Sequence, residues 1–161
     1  MSKGVRFVEL DLEQFATTLI RSMSEAVIYA DADGIIRWWN GGAERMFGYS
    51  PREALGQSLD IIIPENLRAR HWEGYNQTME TGESRYDAGA LLSVPAIRKD
   101  GSRLSVEFTI VPFRAGPGRL AGIAAVMRDA TKQFEEMRAL RKQVAQYRAT
   151  IGKSSTNATS Q

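Results

Sequence analysis

One histidine, His71, and no cysteine stand in this 161-residue sequence, and together they bound the chemistry it can carry. Without cysteine there are no disulfides, thiolate metal sites, cysteine nucleophiles or cysteinyl adducts with a chromophore. Glu44 and Glu73 are isolated carboxylates with no partner at catalytic spacing. No phosphate-binding loop, nucleophile motif, kinase signature or cyclase signature is present, so no enzymatic activity is expected. His71 alone has two readings, a half-exposed residue on a helix or a ligand presented from one. Trp38, Trp39 and Trp72 read first as packing units and second as rings that could stack on a cofactor.

These residues need elements to position them. Leu12, Phe15, Leu19 and Met23 recur at helical spacing, which predicts an amphipathic helix over 10–23. Ala26 to Ala30 and Ile35 to Trp39 flank the turn Asp31-Ala32-Asp33-Gly34 and predict a hairpin. Short helical pieces follow: one over Ala43 to Phe47, then one in which Ser50 caps, Pro51 takes the first helical position and Glu53 completes a capping box. A longer helix carrying His71 is expected from about Asn66 to Glu80, stopped by Thr81-Gly82. Three antiparallel strands come next, Tyr86 to Ile97, Leu104 to Phe113 and Leu120 to Met127, joined by Lys99-Asp100-Gly101 and a Gly/Pro turn at 115–118. Beyond Asp129-Ala130-Thr131, the residues Met137, Leu140, Val144, Tyr147 and Ile151 are spaced three, four, three and four, the seam of a short coiled coil.

The order of these elements resembles the PAS fold, and particular words support the resemblance. They are Asp33-Gly34-Ile35-Ile36, Trp39-Asn40, Ala43 through Tyr49, Glu53 through Ser58, Arg98-Lys99-Asp100-Gly101-Ser102, and Arg128-Asp129-Ala130-Thr131 at the exit into a signalling helix. The resemblance covers about 20–140. It implies an α+β domain with a five-stranded antiparallel sheet, short helices on one face, and amphipathic helices at both ends. The limits expected are an N-terminal helix over 1–23, a sensory domain over 24–130, a signalling helix over 131–152 and a disordered tail over 153–161.

His71 acquires a specific meaning within this resemblance. In FixL-type heme-binding PAS domains the proximal histidine lies seven residues after a proline and eleven before a helix-ending glycine, and here Pro64, His71 and Gly82 keep that frame. The resemblance implies heme b held through His71 as the metal ligand. It places Arg85 where a propionate partner can stand, and Leu91 or Leu92 with Phe108 and Ile110 as an apolar distal wall. Gly89-Ala90-Leu91-Leu92 holds no arginine for bound oxygen, so CO, NO or redox state are open as signals beside oxygen. Two other readings stay open: a cofactor-free domain that binds a small apolar ligand or only dimerises, and a non-covalent flavin (FAD) redox sensor, in which Asn40 would stand near the flavin.

Charge and composition set the remaining bounds. The 21 Lys and Arg against 19 Asp and Glu leave a net charge of +2 spread along the chain, which argues against a nucleic-acid surface. No signal peptide or long apolar run is visible, so a cytoplasmic protein without membrane segments is expected. The expected partners are a second copy of the chain, a downstream signalling protein, and a small molecule or diatomic gas.

Overall fold

The computed structural model describes residues 10–83, 89–117 and 119–158, with 149–158 as backbone alone. Helix α1, Leu12–Ser22, is capped by Asp11, whose carboxylate accepts from the Glu13 and Gln14 amides at 3.0 and 3.1 Å. Strands β1, Ala26–Asp31, and β2, Ile36–Trp39, form the expected antiparallel hairpin. Gly34 sits in its turn at φ 73°, and a Cβ there would stand 2.2 Å from the Trp72 ring, so both backbone shape and space require glycine.

Helices α2, Gly41–Phe47, and α3, Pro51–Ala54, lead to a 3₁₀ turn at Leu59–Ile61 and then to α4, Glu65–Thr81. Gly48 and Gly82 close α2 and α4 in the left-handed conformation. Strands β3, Leu92–Ile97, β4, Arg103–Gly116, and β5, Arg119–Asp129, complete the sheet, and α5 spans Thr131–Ala158. The part of the expected third strand at 86–88 lies outside the described residues.

The sheet has five strands in the order β2-β1-β5-β4-β3, every pair antiparallel. The first and last strands are therefore neighbours. Ala26 at the start of β1 pairs with Met127 near the end of β5, so α1 enters and α5 leaves at the same end of the sheet. The short helices and α4 cover one face, and the core lies between them and the sheet, with Ile28, Ile36, Phe47 and Val106 its largest fully buried side chains.

One boundary expectation is corrected. The helix α5 does not stop at 152 but runs through Ala158, into the stretch assigned to a disordered tail. The composition of that stretch, rich in Ser, Thr and Asn, carries no apolar helix pattern. A helix once nucleated nevertheless gains one backbone hydrogen bond per added residue, and no proline interrupts this one.

Candidate functional site

Helix α4 faces the sheet with His71, Tyr75 and Thr78, spaced four and three, so they share one side of the helix. The Tyr75 hydroxyl donates to the Asp31 carbonyl at 2.6 Å, with the Ala30 carbonyl 3.3 Å away, and this ties the middle of α4 to the end of β1. Burial pushes the Tyr75 phenol well above its ordinary pKa, and the Asp31 carboxylate adds to the effect. Trp72 turns to the flank of the helix and donates from Nε1 to Asp60 Oδ1 at 2.8 Å. The His71 ring lies edge-on to Trp72 at 4.9 Å and tilted against Tyr75 at 5.7 Å.

Between α4 and the sheet is a cavity of about 130 Å³. Its wall includes Ile28 from β1, Phe47 from α2, Leu59 and Ile62 around the 3₁₀ turn, Val106 and Phe108 from β4, Met127 from β5, and His71 and Tyr75 from α4. His71 is half-buried, and its Nδ1 is buried without a hydrogen-bond partner. Burial lowers its pKa, partly offset by the Asp60 carboxylate, so the imidazole is neutral at physiological pH.

The residues singled out in the sequence divide on this wall. His71 and Phe108 are on it. Leu91, Leu92 and Ile110 are not, contrary to expectation. Leu91 precedes β3 and is 54% exposed, and on that strand Val94 and Ala96 take the cavity positions. Ile110 lies one pleat repeat beyond Phe108, about 6.6 Å further along the strand. Arg85 lies outside the described residues.

Asn40 is spoken for by the protein itself. Its Oδ1 accepts from the Val27 and Ala43 amides, both at 2.9 Å, and its Nδ2 donates to the Ile20 and Glu25 carbonyls at 2.9 and 3.0 Å. No capacity is left for a flavin. The tryptophans are packing and anchoring residues, since Trp39 donates to the Tyr49 carbonyl, Trp38 lies beneath the Arg21 guanidinium, and none of the three lines the cavity. Among the described residues no cluster of three His, Asp or Glu could hold a metal ion.

Arg98 is a bridging residue that sequence reasoning passed over, reading it only as part of a turn. Its Nε donates to the Met46 carbonyl at 3.0 Å, next to Phe47 on the cavity wall, and its Nη2 donates to Asp129 Oδ2 at 2.6 Å. Asp129 Oδ1 accepts from the Thr131 amide at 2.9 Å, at the first turn of α5. Thr131 in turn accepts from the Ser105 amide at 3.0 Å. Partial burial works against the Asp129 charge, but the Thr131 hydrogen bonds and Arg98 outweigh it and hold the carboxyl below its usual range. Only the opposite signs of Arg98 and Asp129 at two strand ends could have signalled the pair.

A model of the PAS fold matches residues 15–130. The chain belongs to the PAS family. As a PAS domain it is a sensory module, and two of its sequence relatives carry sensor names. It is 31% identical over 104 residues to the sensor protein FixL of Bradyrhizobium diazoefficiens, covering 65% of this chain and 20% of the relative. To the oxygen sensor protein DosP of Escherichia coli it is 30% identical over 122 residues, covering 76% of this chain and 15% of the relative. An uncharacterized protein of Azorhizobium caulinodans is 36% identical over 117 residues, 72% of this chain and 16% of that one. This PAS domain thus spans a fifth or less of the curated relatives it matches.

Solved structures agree on the fold. The PAS domain of a Colwellia psychrerythraea protein superposes with a TM-score of 0.66 at 22% identity, covering 76% of this chain and 99% of that one. An RNA-binding light-oxygen-voltage receptor gives 0.66 at 20% identity over 89% and 41%. Among the described residues no helix is long and apolar enough to cross a membrane.

Proposed function

We propose that this PAS domain registers occupancy of the cavity beneath α4 and transmits it to α5 in a homodimer. The observation that carries this reading is the path from wall to output: Phe47 lines the cavity, Arg98 holds the carbonyl beside it, and the same guanidinium grips Asp129 at the start of α5. A ligand that displaces α2 shifts the anchor of α5. The sensor names of the relatives support such a role.

Heme is the second reading, favoured by the placement of His71, a neutral imidazole on an apolar wall. The donor meets the requirement and the space does not. The cavity of about 130 Å³ falls below the roughly 300–1,000 Å³ of sites that enclose drug-sized ligands and cofactors. Admitting heme means moving α4 off the sheet and breaking the Tyr75 to Asp31 hydrogen bond. The same limit applies to flavin. The purified chain titrated with hemin should therefore show no His71-dependent Soret shift. A saturable Soret band that is lost in His71→Ala replaces the small-ligand reading with the heme reading.

The homodimer rests on two apolar stripes that this chain leaves open. On α1, Leu12, Phe15 and Leu19 are 71, 49 and 52% exposed; on α5, Met137, Leu140 and Val144 are 48, 57 and 46% exposed. Both helices depart from the same end of the sheet, so a second copy can cover both at once. Burial of each Leu or Val at such a seam contributes about 1.5–3 kcal/mol. The double change Leu140→Asp, Val144→Asp should turn a dimer into a monomer by light scattering. A monomeric unaltered chain at high micromolar concentration removes the seam as an interface.

A further inference from the structure

The cavity's size and polarity select its occupant. Resting on the reading of this cavity as the sensory site, we propose that its ligand is an uncharged, single-ring aromatic molecule bearing one hydroxyl, of the phenol class, with its ring among Phe47, Phe108 and Met127 and its hydroxyl on the His71 imidazole.

Volume makes the first selection. About 130 Å³ is close to the roughly 150 Å³ apolar cavity that accepts benzene. A second fused ring does not fit without displacing α4. The lining makes the next selection, since two phenylalanines and the Met127 thioether offer edge contacts and sulfur contacts that favour an aromatic ring over a flexible chain.

Polarity makes the last selection. Among the lining residues described, only His71 and Tyr75 carry polar side-chain atoms, and the Tyr75 hydroxyl is committed to the Asp31 carbonyl. His71 is left with hydrogen-bonding capacity, because its Nδ1 is buried without a partner. A hydrocarbon leaves that capacity unused, whereas a hydroxyl uses it. A carboxylate is rejected: among the described residues no lysine or arginine lines the wall, burial disfavours a charged imidazole, and the charge that acts on His71 is the Asp60 carboxylate.

Three single-ring probes test the selection, namely phenol, benzene and benzoate, with binding followed by calorimetry and by the ring resonances of His71 and Phe47. Phenol should bind about tenfold more tightly than benzene, the worth of one hydrogen bond, and benzoate should not bind. In His71→Leu, and in His71→Phe as a second variant, the preference for phenol over benzene should vanish. Benzoate binding as well as phenol, or an undiminished phenol preference in both folded variants, overturns the proposal. So does the absence of binding by all three to the unaltered chain, a result that requires no variant. Phenol bound in the cavity with no change in amide exchange along α5 upholds the ligand class and overturns the sensory reading on which it rests.

Discussion

Replacing Phe47 by alanine should lower the stability of the fold by about 3–5 kcal/mol, the range for removing a buried aromatic ring. Phe47 is fully buried, and its ring packs against Trp39 with centroids 5.6 Å apart. The neighbourhood cannot collapse around the loss, because α2 is held at both ends. Asn40 caps its start, and the Phe47 carbonyl accepts from the Lys99 amide at 2.9 Å. The vacated space joins the existing cavity, and the cost rises with the cavity volume left behind. Against a total stability of about 5–15 kcal/mol for a domain, this is a large fraction. Urea unfolding should show a lower midpoint with an unchanged slope. A loss under about 1 kcal/mol would mean that α2 moves inward, and the cavity would then have no fixed wall to sense with. The same variant should accept two-ring alcohols that the unaltered pocket excludes.

Asn40→Ala should cost about 3 kcal/mol, from a lost helix cap at about 1 kcal/mol and buried backbone groups left unpaired at about 1–3 kcal/mol. Asn40 is 3% exposed and all four of its side-chain hydrogen-bonding positions are used. One side chain joins the end of α1, the start of β1 and the first turn of α2. Its removal should therefore also speed amide exchange in α1, which buries none of its own residues. Asn40→Asp keeps the two accepting contacts and loses the two donated ones, so it should fall between alanine and the unaltered chain. A change within about 0.5 kcal/mol, the size of an ordinary surface substitution, would show that backbone and water replace the network.

The two substitutions separate kinds of legibility. Asn40 could be read from the sequence as a cap, because a polar residue directly before a helix is a local pattern. That it also receives the Val27 amide and donates to the Ile20 carbonyl depends on chain segments far apart in sequence. Phe47 reads as one apolar residue among many. Its place on a cavity wall emerges only when α2 is laid on the sheet.

The elements and their order are written locally in this chain. Periodicity of two or 3.6, Asp-Gly turns, the Ser50-Pro51-Glu53 start and the glycines that end α2 and α4 all act within a few residues, which is why sequence alone determined an α+β sheet domain with His71 on its long helix. The wall of the site was decided by tertiary structure. Strand alternation says that Val106, Phe108 and Ile110 share a face. It does not say where along that face the cavity ends, and Ile110, Leu91 and Leu92 fall outside it. The cavity's volume, the unpartnered nitrogen of His71 and the Arg98 bridge to Asp129 likewise depend on distances between elements remote in the chain. Such distances are set by the sum of many weak contacts across the core, and no local spacing encodes them.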